Sequence, residues 1–176
     1  MIFEKVTLEN LNLALNIQKE LFPRYSAEQN YRESTKANSC YEYYIVKQNE
    51  SCIGITGIYY YPEYPDSAWL GWFGIRESYR QKHYGTTVLG MFEGIAYERG
   101  FKYARLYTDK FDNDIAISFY ESNSYVSEDY INEEDPASLQ YPILIFSKSL
   151  TNQPLSLWNN KSIGLTEQIK KQELII

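Results

Sequence analysis

WFGIRESYRQKHYGTTVLGMFEGIAYERG, residues 72–100, reads as the end of a short apolar strand, a polar turn and an amphipathic helix. The turn carries Arg76, Arg80 and Lys82. The helix begins near Tyr84–Gly85 and turns one apolar face, Val88, Leu89, Phe92, Ile95 and Ala96, toward a core. Gly100 is placed to end it in a left-handed cap. First-turn N–H groups of such a helix have no intrahelical partner, so this strand–turn–helix is suited to an anionic, phosphate-bearing ligand. Taken alone, it is equally a solvated turn with ordinary surface basic residues.

Upstream, Ile2–Val6 alternates like a strand. Thr7 is the expected cap of a helix with Leu8, Leu11, Leu15 and Phe22 on one face, ending before Pro23. Residues 26–37 suggest a second short helix. Residues 41–47 and 52–60 are β-rich around a polar turn at 48–51, a hairpin pattern. Residues 61–67 form a loop with two prolines, and Ala68–Ile75 is the next strand, whose Gly71 and Gly74 mark a bulge or a close approach. Downstream, Tyr103–Thr108 is a strand, Ile115–Glu121 a short helix, and residues 125–131 and 141–147 two more strands. The order βααβββαβαββ implies an α/β protein in the mixed α+β sense, with one central sheet. Residues 1–150 make its main domain. Residues 151–176, richer in Asn, Gln and Ser and with a helix-like Leu165–Leu174, form a C-terminal appendage that packs on the core or on a partner.

The formal charge is −6 with no sustained Lys/Arg run, which argues against a nucleic-acid interface. No segment has the length and apolarity of a membrane span, and Asn10, Asn12, Asn16 and Gln18 interrupt the N-terminal apolar stretch, so neither a signal peptide nor membrane attachment is expected. Cys40 and Cys52 fit neither a metal site nor a disulfide framework, so a cytoplasmic setting without a bound metal is expected.

With these elements in order, the chain resembles the GCN5-related N-acetyltransferase (GNAT) superfamily. The family's turn signature, Arg/Gln-x-x-Gly-x-Gly/Ala, corresponds to Arg80-Gln81-Lys82-His83-Tyr84-Gly85. Its second signature, Asn-x-x-Ala-x-x-Leu/Phe-Tyr followed by Gly-Phe, corresponds to Asn113, Ala116, Phe119 and Tyr120, then Ser124-Tyr125. The likeness covers roughly residues 1–148, with His83 and Ser124 where the family has glycine.

The resemblance implies the acyl-CoA N-acyltransferase fold, a mostly antiparallel sheet flanked by helices. It also implies direct transfer of acetyl from acetyl-CoA to a primary amine of a small molecule or protein. Arg80, Gln81, Lys82, His83, Tyr84, Gly85 and Thr86 would cradle the pyrophosphate, the backbone of Phe73 and Ile75 would pair with the pantetheine arm, and Asn113 would hold a cofactor amide. Tyr120 would hydrogen-bond or protonate the departing thiolate, since a phenol near 10 lies above a thiol near 8.5. No general base stands out: the fourth strand has no acid, while Glu63, Asp66, Asp109 and Asp112 lie on loops able to border the acceptor groove. That groove is expected from residues 23–40, 61–67 and the C-terminal region. A non-catalytic acyl-CoA-binding module and a plain interaction protein are the competing readings, and a homodimer is compatible with the Leu- and Ile-bearing tail.

Overall fold

Runs of consecutively buried residues between 41 and 75, covered on both faces, build three consecutive antiparallel strands, β2 (Tyr41–Gln48), β3 (Ser51–Tyr59) and β4 (Ser67–Ile75). In the computed structural model, which describes residues 1–111 and 113–172 (the last two by backbone alone), these strands form the middle of a seven-stranded sheet. Its order is β1-β2-β3-β4-β5-β7-β6, with β1 (Ile2–Lys5), β5 (Tyr103–Asp109), β6 (Val126–Asp129) and β7 (Ile143–Ser149). All pairs are antiparallel except β4–β5. The fold is therefore mixed α+β, a mostly antiparallel sheet with helices on both faces.

One face carries α3 (Tyr84–Glu98) and α4 (Asp114–Ser122). Val88, Leu89, Phe92 and Ala96 of α3 are buried, packing against Ala68, Leu70, Ala104 and Leu106 of β4 and β5 and against a neighbouring cluster of Val46, Ile53 and Ile75. Burying each large side chain of this kind contributes roughly 1.5–3 kcal/mol. Gly100, at φ 85°, ends α3 as expected: the Phe101 N–H reaches the Ala96 carbonyl and the Gly100 N–H reaches Tyr97. Ser124, at φ 67°, ends α4 with the same pair of bonds, from Tyr125 to Tyr120 and from Ser124 to Glu121.

The opposite face carries α1 (Leu11–Leu21) and α2 (Glu28–Ser34) over β1–β4, and residues 151–172 over β5–β7. Trp158, Ile163 and Leu165 of that C-terminal stretch are buried with Tyr59, Trp69, Ile143 and Ile145. Two buried polar groups fasten it. Arg105 on β5 donates to Ser67 Oγ (3.0 Å), Ser147 Oγ (2.5 Å) and the Ser156 carbonyl (2.8 Å), with its guanidinium over the Tyr103 and Trp158 rings. Asp135 accepts from the Tyr130 hydroxyl, the Leu165 and Thr166 amides and the Thr166 hydroxyl, capping α6 (Leu165–Gln172). Burial pushes the Asp135 carboxyl up, but these donors outweigh it and hold it below the usual range.

Several expectations are corrected. Helix α1 starts at Leu11, not after Thr7, because Asn10 closes a preceding turn: its Oδ1 accepts from the Thr7 N–H and its Nδ2 donates to Glu4 and the Lys5 carbonyl. Its buried face is Leu11, Ala14, Ile17 and Gln18, leaving Leu8 exposed. Strand β6 is shorter than expected, since the left-handed Ser124 makes Tyr125 part of the α4 terminus rather than of a strand. The last strand runs two residues later, and α5 (Ala137–Gln140) and a 3-10 turn at Glu77–Tyr79 escaped the periodicity reading because both are shorter than a helical repeat can reveal. Asp112 and Leu174, both singled out above, lie outside the described residues. Among the described residues no helix is long and apolar enough to cross a membrane, and no cluster of His, Cys, Asp and Glu is placed to hold a metal ion.

Candidate active site

The single parallel pair opens the site. β4 and β5 share only three rungs, Ser67↔Tyr103, Ala68↔Ala104 and Trp69↔Arg105. Beyond Trp69, β4 stays with β3 as far as Ile75, while β5 stays with β7 as far as Asp109. The two strands therefore splay apart, leaving a wedge in the middle of the sheet with unpaired backbone along its sides.

A bulge sharpens the β4 side of this wedge. From Ile55 to Gly57 β3 advances two residues, while β4 advances three, from Gly71 to Gly74. The additional residue is Trp72, at φ 43°. It resets the alternation, so Trp72 faces the α1–α2 side against Phe22 (5.3 Å) and Tyr25 (6.3 Å). Phe73 faces the other side, 5.9 Å from Phe119 and 6.5 Å from Tyr120. Gly74 does not serve an approaching ligand: a Cβ there would meet Leu21 and Phe22, so its bareness lets α1 sit close to the sheet.

The turn after β4 is shaped by two left-handed residues just before α3. Gln81 and His83 are both left-handed, at φ 58° and 59°, and His83 is the N-cap of α3. Among the described residues no side chain caps this helix, and its first turn holds no acid, so the amides of residues 84–86 have no protein acceptor on the cap. Gln81, Lys82, His83 and Thr86 are exposed, and Tyr84 is half-buried near Tyr79. The basic side chains are partly committed: Arg80 Nε donates to the Ile75 carbonyl (2.9 Å) and Lys82 Nζ to the Ser78 carbonyl (3.0 Å). Arg76 is tied to Glu20 and the Cys52 carbonyl and serves the fold. Ile75 itself is core, with Val46, Ile53 and Val88.

Helix α4 brings the second group of residues to the same place. A Cβ on Gly85 would be in ordinary contact with Phe119 and 3.8 Å from Phe73, so the start of α3, the β4 bulge and α4 converge on one apolar spot. Asn113 occupies the N-cap position of α4 without capping it. Its Nδ2 donates instead to the Thr108 hydroxyl near the end of β5. Tyr120 is 8% exposed, packed among Phe73, Phe119, Tyr125 and Phe146, and burial alone lifts its phenol above the ordinary value of 10. It stays neutral, which suits a hydrogen-bond donor better than a proton source.

Of the named carboxylates among the described residues, Asp109, the last residue of β5, borders the open end of the wedge, and the Tyr25 hydroxyl reaches it at 3.3 Å. Asp66 and Glu63 belong to the 61–66 loop at the opposite end of β4, where the Asp66 carbonyl accepts from Lys102 and Tyr103. On the α1–α2 side the sequence points to segments 23–40 and the C-terminal region without naming residues; there Tyr31 stacks on Tyr43 and Tyr107 donates to Gln168. The available signal was Gly57 and Gly71, two bare positions in neighbouring strands.

The candidate site is thus a sheet splayed at one parallel pair, with a bulge on one side and the start of α3 at its mouth. The acetyltransferase (GNAT) family profile matches residues 9–125, and the chain belongs to that family. No curated protein matches it in a sequence search. Solved structures similar to it include the ribosomal-protein-S18-alanine N-acetyltransferase of Escherichia coli (TM-score 0.68, 16% identity, covering 89% of this chain and 98% of that one). An aminoglycoside 6'-N-acetyltransferase complexed with coenzyme A has a TM-score of 0.66 at 15% identity, covering 88% and 99%. A spermidine N-acetyltransferase chimera from Vibrio cholerae gives 0.66 at 16%, covering 85% and 94%. At these identities the likeness is one of fold.

Proposed function

We propose that the chain is an acetyl-CoA-dependent N-acetyltransferase, with acetyl-CoA entering the wedge from the α3–α4 face and the amine from the α1–α2 face. The observation that carries this reading is the splay of β4 from β5 beyond Trp69, lined on one side by the α3 N-terminus, Phe73 and Tyr120. The amides of residues 84–86 would meet the pyrophosphate, where the helix dipole adds roughly 0.3–1 kcal/mol for an anion. The unpaired backbone around Phe73 would take the pantetheine arm as an added strand. Asn113, already fixed by Thr108, would hold a cofactor amide.

In the reaction the amine nitrogen attacks the thioester carbon, the C–S bond breaks, and CoA leaves as a thiolate. Tyr120 would donate a hydrogen bond to that sulfur. Its raised pKa makes full transfer of the phenolic proton uphill, so the thiolate takes its proton from water, to which the amine loses one. Most of the acceleration then comes from holding the two reactants together and from backbone amides facing the developing oxyanion.

One observation favours the non-catalytic alternative: β4 carries no carboxylate to act as base. The two readings separate in one assay. With acetyl-CoA and spermidine, kanamycin or a peptide with N-terminal alanine, the enzyme releases free thiol in proportion to amine. A pure binder is stabilised by CoA but releases none.

A further inference from the structure

Tyr43 is 1% exposed, and its ring lies across the sheet from β2 toward the wedge. A Cβ at Gly57, its partner on β3, would collide with the ring, and one at Gly71 on β4 would lie 3.1 Å from its hydroxyl. Two adjacent strands thus leave a side chain out so that one phenol can reach β4. Gly71 is two residues past Trp69, and Tyr107 is two past Arg105, the last rung shared by β4 and β5. The Tyr43 hydroxyl therefore ends at the apex of the wedge, with Tyr107 across from it and the Trp72 bulge beginning one residue further on.

Among the described residues no hydrogen-bond partner is in place for that buried hydroxyl, although Asn30 of α2 lies close enough to act as its donor. Tyr31 of α2, 0% exposed, stacks on the Tyr43 ring at 4.4 Å and 15°, and among the described residues its buried hydroxyl is likewise without a partner. Leaving a buried polar group unsatisfied costs about 1–3 kcal/mol, and such groups are rarely kept without use. The Tyr107 hydroxyl opposite is different, because it donates to Gln168 Oε1 on α6 at 2.5 Å.

We propose that the Tyr43 hydroxyl, backed by Tyr31, is the polar floor of the acceptor pocket, and that its oxygen accepts an N–H of the amine and so aims the nitrogen lone pair at the thioester. The inference rests on the acetyltransferase reading above. The phenol stays protonated, so it orients the amine and does not deprotonate it. The apex is bounded by Tyr31 of α2 on one side and by Tyr107 with Gln168 on the other, and an acceptor able to thread between these side chains is an amine on a slender unbranched stem, a primary alkylamine such as a polyamine end.

The test is Tyr43→Phe, with Tyr31→Phe beside it, in the full chain. Removing an oxygen that has no internal partner leaves the melting temperature unchanged or raises it, and leaves the Kd for acetyl-CoA within twofold. With spermidine as acceptor, kcat/KM falls at least tenfold in Tyr43→Phe. It falls less in Tyr31→Phe. An unchanged kcat/KM for Tyr43→Phe overturns the inference while the acetyltransferase reading stands. A lower melting temperature also overturns it, since the hydroxyl then has an internal partner. Turnover of kanamycin or the alanine peptide but not of spermidine overturns the slender-amine pocket. CoA binding without thiol release from any of the three amines overturns the acetyltransferase reading, and the inference with it.

Discussion

The two mouths of the β4–β5 wedge are built from different materials. On the α3–α4 face the groups proposed to bind are mostly backbone: the amides at the start of α3, left-handed Gln81 and His83, and the bulge at Trp72. On the α1–α2 face the proposed groups are side chains delivered by four separate segments, Tyr31 from α2, Tyr43 from β2, Tyr107 from β5 and Gln168 from α6. A backbone site needs only a short contiguous run with the right conformations, and it suits a ligand that never changes. A side-chain site draws on long-range packing, and it is where one fold can be fitted to different amines.

The comparison breaks most readily on the side-chain face. Trp158 is fully buried against Trp69 (4.9 Å) and beneath the Arg105 guanidinium. Trp158→Ala is expected to remove about 3–5 kcal/mol, a fall in Tm on the order of 10 °C for a domain of this size. A fall under ~2 °C would show that residues 151–172 do not brace this face. On the backbone face, Tyr120→Phe is expected to lower kcat about 10- to 100-fold, roughly 1.4–2.7 kcal/mol of barrier, with CoA affinity unchanged. Because burial raises the Tyr120 pKa, the phenol is protonated throughout the range below its ordinary value. The variant should therefore keep the wild-type pH profile there, and a lost alkaline limb would mean that Tyr120 ionises during turnover.

The smallest effect concerns the two family glycine positions. His83 and Ser124 are both left-handed, at φ 59° and 67°, so each side chain holds a strained conformation that glycine would relieve. His83→Gly and Ser124→Gly should each stabilise by about 0.5–1 kcal/mol, read as a rise in Tm. Only His83→Gly should also tighten CoA binding, since only that position lies in the turn proposed to hold the pyrophosphate. Equal effects of the two on CoA affinity would remove the distinction between a ligand-binding turn and an ordinary helix end.

This division explains what the sequence could and could not reveal. Gly100, the apolar face of α3 and the Asn113–Tyr120 spacing were legible because each depends on neighbours within two helical turns. The start of α1 was not, because Asn10 closes its turn with Glu4 and Lys5 rather than with the helix. Gly74 marks a close approach in the sequence without showing of what: the neighbours, Leu21 and Phe22, come from more than fifty residues upstream. The loop at 61–67 divides: the Tyr61 hydroxyl accepts from Gln168 Nε2, while the Asp66 carbonyl stays with Lys102 and Tyr103 at the start of β4, and both contacts join residues far apart in sequence. Tyr43 was one tyrosine among 18 until the register set its ring over Gly57 and Gly71.

The central claim, that the wedge is an acetyl-CoA groove, is tested most directly by following backbone amide NMR resonances during titration with CoA. The account predicts that the amides of Phe73, Ile75, residues 81–86 and Asn113 shift together and saturably, while those of Cys40, Tyr60 and Phe101 at the other end of the sheet stay in place. Shifts confined to that far end, or none at millimolar CoA, would contradict it.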